Sequence, residues 1–361
     1  MRLLFANERV VYAGTSTYSL DLAVALKKTG HEVQVCTTGG DLRQVFADCE
    51  IETYLARPNL LSYWKLLEFL RDYDPDLIHI QNRQSALFGQ KLSRRLRVPH
   101  VITVHRLPAA PKPRLSHPRL AGIIAANEVI REYLVNDQGL PKSLIRVIPR
   151  GVDTEALVPD PDMPTVGPSE DLIPVLGSVG SLTTVKGHHV FIKAARRVLD
   201  RGIECMFAIV GEGEEEQPLR RLVKELRLES RVTFSPHMPN RRELYRTFDI
   251  VVVPTLRGGV GSTVLEAMAM GKPIIASAVG EILHILQEGK TGLLVPEGNA
   301  EALATRIVEL LEKPDLARSL GKEARASAVE HFALSAMVEA TRQFYEEVLT
   351  RVGRRGLASV T

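Results

Sequence analysis

The chain has 361 residues, of which 45% are apolar, and this length and composition favour a globular protein of two domains with ordinary hydrophobic cores. The net charge of +3 is unevenly distributed, because residues 1–150 hold 21 lysines and arginines against 14 acidic residues, whereas the remainder holds 25 against 29. Three scattered cysteines argue against a disulfide framework and a zinc site, and no apolar run approaches the ~20 residues of a membrane span.

These properties predict a protein of the reducing cytoplasm that is either soluble or peripheral to a membrane. No signal peptide is expected, since Arg2–Glu8 reads as a short strand followed by charge. A surface rich in cations would suit an anionic lipid or a phosphorylated ligand, and its alternative interpretation is an ordinary solvated helix face. Nucleic acid is not an expected partner, because basic and aromatic residues are not interleaved. The basic residues of the first half concentrate in the proline-rich stretch 106–119 and in Lys91, Arg94, Arg95 and Arg97.

Short β-branched runs alternate with amphipathic helical patterns throughout, which is typical of parallel sheets covered by helices. The strands predicted in the first half are Arg2–Ala6, Glu32–Thr37, Leu77–Ile80, His100–Val104, Gly122–Ala125 and Ile145–Ile148. Those predicted in the second half are Pro174–Gly177, Met206–Val210, Arg231–Phe234, Ile250–Val253, Pro273–Ala276 and Gly292–Val295. We therefore predict an α/β fold of two doubly wound domains, with ligands bound beyond the carboxyl ends of the strands, in a cleft where the domains face each other.

The helical patterns refine this organisation. Asn59–Arg71 carries Leu60, Trp64, Leu67 and Leu70 on one side, which predicts a core helix, with a membrane wedge as the alternative. The helical patterns that follow the last predicted strand are too numerous for strand crossovers, so the last of them should pack elsewhere. They are Ala300–Glu312, Leu316–His331 and Ser335–Val352.

The domain boundary is predicted from a proline-rich stretch. Pro159–Pro168 holds four prolines in ten residues, a composition typical of a linker. The predicted parts are therefore a domain at residues 1–160, a domain at residues 161–334 and a final helix at residues 335–361.

Polar residues and a glycine turn mark the strand ends of the first half. Gly14, Thr15 and Ser16 precede or open a predicted helix, whose N-terminus would face the ligand. His105 ends a predicted strand and could donate to a substrate oxygen, with a capped strand end as the alternative. Other polar residues at these edges are His79, Gln81, Asn82, Arg83 and Arg106.

Two turns of the second half combine glycines with charged residues. The turn Gly177–His188 carries Lys186, whose ammonium could, together with a helix dipole, neutralise a leaving diphosphate. The turn Val210–Glu214 contains Gly211 and Glu212 and could wall a nucleobase. The alternatives are a solvated lysine at a helix start and a simple chain reversal.

The sequence Gly258–Gly271, GGVGSTVLEAMAMG, is the most informative of these turns. It follows a buried strand, and its glycines would let the backbone approach phosphate or sugar oxygens. Ser262 and Thr263 would open a helix, and Glu266 just inside it could bind a ribose. A tight connection without a ligand is the alternative.

Several segments in the same order resemble the retaining glycosyltransferases of family 4. They are VKGHHVFIKAARRVL, FAIVGEGEE, LEAMAMGKPIIAS, EGKTGLLVPEGNAEALA and VIPRGVDTEALVP. The resemblance runs over nearly the whole chain and implies the GT-B fold of two Rossmann-like domains. Through IHIQN and VITVH, the first half is most similar to the phosphatidylinositol mannosyltransferase type.

The resemblance also implies roles for individual residues. Lys186 would bind the donor diphosphate, Glu266 the ribose, and His105 the donor sugar near C6. The Gly14 loop would cap the diphosphate or the acceptor, and the final helix would cross back onto the first domain. The implied acceptor side comprises Thr15, Ser16, Asn82, Arg83 and Arg106. The implied donor side comprises Gly14, Ser181, Gly187, Gly211, Glu212, His237, Met238, Gly258, Gly259, Val260, Gly261, Ser262 and Thr263.

Three positions depart from the family pattern. Ser181 stands where the family has an arginine, and Gly258 where it has the first of two glutamates. Gly280–His284 replaces the family's GGxPE turn. Losing one charge-assisted contact costs about 1.5–3 kcal/mol, so activity would fall roughly tenfold to a hundredfold unless Arg150, Arg257 or another cation substitutes.

The sequence thus predicts a metal-independent enzyme that moves a sugar from a nucleotide-diphosphate donor, UDP or GDP, to a hydroxyl acceptor with retention of configuration. The acceptor would be a glycan, or a lipid-linked or phosphorylated molecule, and no cofactor is expected. The protein would act in the cytoplasm, either free or at an anionic inner face of the plasma membrane. One alternative is a nucleotide-sugar-binding protein of impaired activity, and another is a sugar-nucleotide epimerase.

Overall fold

The computed structural model describes residues 1–11, 14–56, 60–107, 115, 117–159, 173–238, 240–257 and 262–358, with only the backbone at 60–63 and 354–358. The chain divides into two compact units. Unit 1 is Met1–Gly151 together with the chain from Leu334 onward, and unit 2 is Val152–Ala333. The chain therefore passes from unit 1 to unit 2 before the proline-rich stretch that the sequence suggested as the boundary. Residues 160–172 of that stretch lie outside the described residues.

Unit 1 contains a parallel sheet of seven strands in the order β3-β2-β1-β4-β5-β6-β7. The strands are β1 (Arg2–Ala6), β2 (Glu32–Thr37), β3 (Thr53–Leu55), β4 (Leu77–Ile80), β5 (His100–Val104), β6 (Leu120–Ala125) and β7 (Ile145–Val147). The helices that connect them are α1 (Gly14–Lys28), α2 (Arg43–Asp48), α3 (Leu60–Tyr73), α4 (Ala86–Leu96) and α5 (Glu128–Asn136).

Helices cover both faces of this sheet, so its central strands are apolar on both sides. Leu3 and Phe5 of β1 pack with Leu22 of α1, whereas Leu4 of β1 packs with Leu70 of α3. The alternation follows from the two-residue period of a strand. It also explains why these strands read as continuous apolar runs in the sequence.

Unit 2 contains a parallel sheet of six strands in the order β10-β9-β8-β11-β12-β13. The strands are β8 (Val175–Val179), β9 (Met206–Val210), β10 (Val232–Ser235), β11 (Ile250–Val253), β12 (Ile274–Ser277) and β13 (Leu293–Val295). The helices of this unit are α6 (His188–Asp200), α7 (Glu216–Glu225), α8 (Arg241–Arg246), α9 (Thr263–Ala269), α10 (Ile282–Ile285), α11 (Ala300–Glu312) and α12 (Pro314–His331).

The last helix, α13 (Leu334–Ala358), belongs to unit 1, where it packs against α1 and β6. Phe344, Tyr345 and Val348 of this helix are buried in the same core cluster as Leu3 of β1. The Tyr345 hydroxyl lies 2.6 Å from Nδ1 of the buried His79 on β4. An apolar face and one buried polar contact therefore join this helix to the sheet of unit 1.

The observed strands agree with the predicted ones to within two residues at each end, but one strand and one side chain differ. β3 was not predicted, because an edge strand of three residues carries too short a pattern. Trp64 was expected on the buried side of α3, yet it is 53% exposed, while Leu67 and Leu70 of the same helix are buried. No helix among the described residues is long and apolar enough to cross a membrane.

Candidate active site

The predicted site residues of unit 2 follow four neighbouring strands at one edge of its sheet. All strands of this sheet are parallel, so the residues after their carboxyl ends share that edge. Ser181 and Lys186 follow β8, Gly211 and Glu212 follow β9, His237 and Met238 follow β10, and Ser262, Thr263 and Glu266 follow β11. Gly258, Gly259, Val260 and Gly261 lie outside the described residues.

The turn after β8 fixes Lys186 next to the end of β11. Lys186 closes a short 3-10 helix, Thr184–Lys186, and Gly187 follows it with a φ of +70°. A Cβ at Gly187 would lie 1.9 Å from the carbonyl oxygen of Pro254, so only glycine permits this approach. The Leu256 amide donates to the Val185 carbonyl at 2.8 Å and completes the contact.

Lys186 and α6 together form a site of positive potential. Helix α6 begins at His188, two residues after Lys186, so the ammonium and the helix N-terminus act in the same region. Burial lowers the pKa of His188 to about 4, and the charge of Lys186 contributes to the shift. His188 is therefore neutral at pH 7, and Lys186 carries the side-chain charge of this segment.

Glu266 is held in a fixed position beside this region. Its side chain is mostly buried, with the residue only 8% exposed. The Tyr245 hydroxyl donates to Glu266 Oε2 at 2.9 Å, and Arg241 Nε lies 4.0 Å from the same oxygen. Thr263 donates through its hydroxyl to the Val179 carbonyl at 3.2 Å, which ties the start of α9 to the end of β8.

Glu212 and His237 line the part of the edge after β9 and β10. The His237 amide donates to Glu212 Oε1 at 3.4 Å. Burial lowers the pKa of His237, and the charge of Arg241 contributes to this shift. Gly211 is required by close packing, since a Cβ there would lie 2.0 Å from the Gly180 carbonyl oxygen. These contacts fix the backbone at this part of the edge.

In unit 1, Arg150 secures the start of α1. Its guanidinium donates to the Gly14 carbonyl and, at 2.9 Å, to Thr17 Oγ1, and it lies 3.5 Å from the Asp21 carboxylate. Ser16 uses its hydroxyl locally, because it donates to the Arg9 carbonyl and accepts from the Val11 amide. Ser16 therefore shapes the turn before the helix, and Arg150 is already engaged within unit 1.

His105 differs from the expectation in its hydrogen-bonding role. Its Nε2 lies 2.9 Å from the Gln81 carbonyl oxygen, and since a carbonyl only accepts, Nε2 carries the proton. Burial lowers the pKa of His105 to about 4, with the charge of Arg150 as the next cause. The ring is thus neutral at pH 7 with Nδ1 unprotonated, and its N–H is used within unit 1, as in the predicted alternative of a capped strand end.

The other predicted residues of the acceptor side have varied surroundings. Asn82 accepts through Oδ1 from the Ser85 amide at 2.8 Å and so supports the start of α4. Thr15 and Arg83 are partly buried, and Arg106 is exposed. Gln81 is fully buried, and neither atom of its side-chain amide has a hydrogen-bond partner among the described residues.

Tyr245 and Arg241 were not predicted from the sequence. Both lie on α8 and contact Glu266 through packing between α8 and α9, for which the sequence offers no local signal. Among the described residues, no group of three or more histidine, cysteine, aspartate or glutamate side chains is placed to hold a metal ion.

Two family models match the chain in succession. The model described as Glycosyltransferase Family 4 matches residues 12–156, and that described as Glycosyl transferases group 1 matches residues 167–327. The D-inositol 3-phosphate glycosyltransferase of Corynebacterium jeikeium is 34% identical over 59% of this chain and 54% of its own length. This chain therefore aligns with only about half of that relative's length. The enzyme of the same name from Corynebacterium glutamicum is 28% identical over 88% of this chain and 87% of its own.

Solved structures show the same fold. The Anabaena protein HepE in complex with UDP-glucose has a TM-score of 0.82 and 20% identity, over 97% of this chain and 100% of its own. Sucrose-phosphate synthase from Thermosynechococcus elongatus has a TM-score of 0.73 and 23% identity, and the match covers 97% of this chain and 100% of the synthase chain. These similarities confirm the predicted architecture of two Rossmann-like domains.

Proposed function

The chain belongs to the glycosyltransferases of the family 4 type with the GT-B fold, and we propose that it moves a sugar from a nucleotide-diphosphate donor to a hydroxyl acceptor with retention of configuration. The observation that carries the proposal is that Lys186 lies before the N-terminus of α6, while the buried Glu266 lies in the first turn of α9, the helix that follows the neighbouring strand β11. The ammonium of Lys186 suits a diphosphate, and the carboxylate of Glu266 suits a ribose.

The proposed reaction needs no protein nucleophile. The acceptor oxygen attacks the anomeric carbon on the face from which the diphosphate departs, and its proton passes to the departing phosphate oxygen. Lys186 and the α6 N-terminus stabilise the charge that develops on the diphosphate. Since these groups supply the positive charge that the leaving group requires, we propose a metal-independent mechanism.

Unit 1 is proposed to supply the acceptor side. His105 would accept a hydrogen bond through Nδ1 from a hydroxyl of the donor sugar, while Arg83 and Arg106 would contribute positive charge on the acceptor side. A UDP donor is supported by a structural neighbour that binds UDP-glucose, and a phosphorylated acceptor by a relative named for D-inositol 3-phosphate. A GDP donor is the proposed alternative. A second candidate, a binding protein without turnover, is motivated by Ser181 and Gly258.

The first test is nucleotide release from UDP-, GDP-, ADP- and dTDP-sugars, with slow hydrolysis included. We expect release of UDP or GDP from one donor. The control variant Lys193→Ala should release nucleotide at the wild-type rate, since Lys193 is exposed on α6. Thermal stabilisation by a nucleotide without any release would support the binding protein. Conversion of the donor into an isomer, without free nucleotide, would indicate an epimerase.

We also propose that the basic surface of α4 lets the protein bind an anionic membrane. Leu87 is 84% exposed, and Lys91, Arg94 and Arg95 are exposed one and two turns farther along the same helix. Each cation near an anionic surface contributes about 1 kcal/mol. Losing these three attractions would weaken membrane binding on the order of a hundredfold, and reversing the charges adds repulsion, so the loss should be at least that large.

Cosedimentation with vesicles measures this effect. The wild type should bind phosphatidylcholine vesicles that contain phosphatidylserine and should not bind vesicles of phosphatidylcholine alone. The triple variant Lys91→Glu, Arg94→Glu, Arg95→Glu should lose this binding. Arg221→Glu with Lys224→Glu, at exposed positions on α7 of unit 2, should retain it. Equal binding of the wild type to both vesicles would contradict the proposal.

A further inference from the structure

The carboxylate of Glu266 is anchored by a single oxygen. The Tyr245 hydroxyl at 2.9 Å and Arg241 Nε at 4.0 Å both approach Oε2. Both contacts are made to Oε2, and neither residue contacts Oε1. With Glu266 only 8% exposed, the orientation of its carboxylate is set by these neighbours and not by solvent.

Tyr245 is suited to act as a permanent donor. It is fully buried, and its hydroxyl also lies 3.3 Å from the Thr263 carbonyl oxygen. Burial, followed by the charge of the Glu266 carboxylate, raises the pKa of Tyr245 well above its usual value. The phenol therefore stays protonated, and its hydrogen is directed at acceptors beside the start of α9.

Arg241 and Tyr245 reach Glu266 from the same face of α8, since they are four residues apart on one helix. Asn240 caps this helix by accepting the Glu243 amide at 3.2 Å. Nη1 of Arg241 is buried, and it finds no hydrogen-bond partner within the described part of the chain. A buried guanidinium donor without a partner is unfavourable unless a ligand or water accepts from it.

We infer that Tyr245 and Arg241 are positioning residues that orient Glu266 to bind both hydroxyls of a ribose, so that the protein selects ribonucleotide donors over 2′-deoxyribonucleotide donors. A carboxylate whose orientation is fixed can accept the 2′ and 3′ hydroxyl hydrogens together. A donor that lacks the 2′ hydroxyl leaves one buried carboxylate lone pair unsatisfied, and such a loss discriminates strongly between ligands. This inference rests on the proposed function, since it assumes that the edge of unit 2 binds the nucleotide.

The test compares UDP with 2′-deoxy-UDP, and GDP with 2′-deoxy-GDP, by calorimetric titration of the full chain. The measured quantity is the ratio of the two dissociation constants within each pair. For the wild type we expect the deoxynucleotide of the bound pair to be weaker by roughly tenfold to a hundredfold. In Glu266→Gln the ratio should fall to near one.

Tyr245→Phe and Arg241→Met should each lower this ratio severalfold. A merely structural role would weaken both nucleotides alike and leave the ratio unchanged. Arg246→Met is the matched control, because Arg246 lies on the same helix, is exposed, and pairs with Glu243. Arg241→Met keeps the test valid if Tyr245→Phe fails to fold, since the Arg241 side chain is 24% exposed and less central to packing.

The possible outcomes distinguish failure of this inference from failure of the proposed function. A wild-type ratio near one, or an unchanged ratio in both folded variants, would overturn the selection of ribose while leaving nucleotide binding intact. If neither nucleotide pair binds the wild type, the proposed function itself fails and the inference fails with it.

Discussion

Replacing Lys186 by alanine is expected to lower the rate constant of nucleotide release on the order of a hundredfold, which is the usual effect of removing one donor aimed at developing charge. Lys186 is fixed in a short 3-10 helix directly before α6, and the adjacent His188 is neutral because burial lowers its pKa to about 4. No second side-chain charge of this segment can therefore take over from the ammonium.

The measurement is single-turnover release of nucleotide from the donor that the panel identifies. Because Lys186 acts on the departing diphosphate, kcat should fall more than the affinity for the donor does. Lys186→Arg keeps the charge but changes its geometry, and it should recover part of the rate.

Two comparisons make this result specific. Lys193→Ala removes an exposed lysine of the following helix, α6, and should keep wild-type kinetics. Thermal melting of Lys186→Ala should match that of the wild type, because the side chain is only partly buried. An unchanged release rate in folded Lys186→Ala would remove Lys186 from the mechanism.

The sequence predicts most of the fold because the sheets are parallel and buried. Each central strand is covered on both sides, so it appears as an uninterrupted β-branched run, as in Ile250–Val253. The edge strand Thr53–Leu55 was missed because it is short and only partly buried. Trp64 was assigned to the wrong side of α3, since periodicity locates an apolar stripe but not its edges.

The residues of the candidate site also differ in how far the sequence alone reveals them. The positions of Lys186 and Glu266 at the sheet edge could be predicted, because each follows a strand and a glycine-rich turn. Tyr245 and Arg241 could not, since they lie more than twenty residues from Glu266 and meet it only through the packing of α8 against α9. The role of His105 depended on which nitrogen meets the Gln81 carbonyl, and this is a property of the folded backbone.

Acidification from pH 7 to pH 5 is expected to destabilise both units, and unit 1 about three times as much as unit 2. The cause lies in four histidines. Burial lowers the pKa of His79 and His100 in unit 1 to about 3, that of His105 in unit 1 to about 4, and that of His188 in unit 2 to about 4. In the unfolded chain a histidine has a pKa of about 6.5.

The direction of this pH dependence of stability follows from proton binding. Below about pH 6.5 the unfolded chain binds protons that the folded chain excludes, so acid favours unfolding. The stability is therefore fully present above pH 6.5 and is lost as the pH falls toward the folded pKa values of about 3 to 4. Between pH 7 and pH 5 each histidine should cost about 2 kcal/mol, which gives about 6 kcal/mol for the three in unit 1 and about 2 kcal/mol for the one in unit 2.

His79 shows why protonation is unfavourable. Its Nε2 lies 2.7 Å from Thr103 Oγ1 and its Nδ1 lies 2.6 Å from the Tyr345 hydroxyl. A neutral imidazole has one donor and one acceptor, so it can satisfy both contacts, whereas an imidazolium has two donors and no acceptor for the Tyr345 proton. Acid should therefore weaken the attachment of α13 to the sheet of unit 1.

Urea unfolding at pH 7, 6 and 5 measures the two units separately. Trp64 is the only tryptophan of the chain and lies in unit 1, so its fluorescence follows that unit, while circular dichroism follows both. His79→Gln keeps one donor and one acceptor without titrating, and it should remove about 2 kcal/mol of the pH dependence from the fluorescence transition. His331→Gln, at an exposed position on α12, should leave that dependence unchanged. If the fluorescence transition is independent of pH between 7 and 5, the buried histidines do not exclude protons as argued.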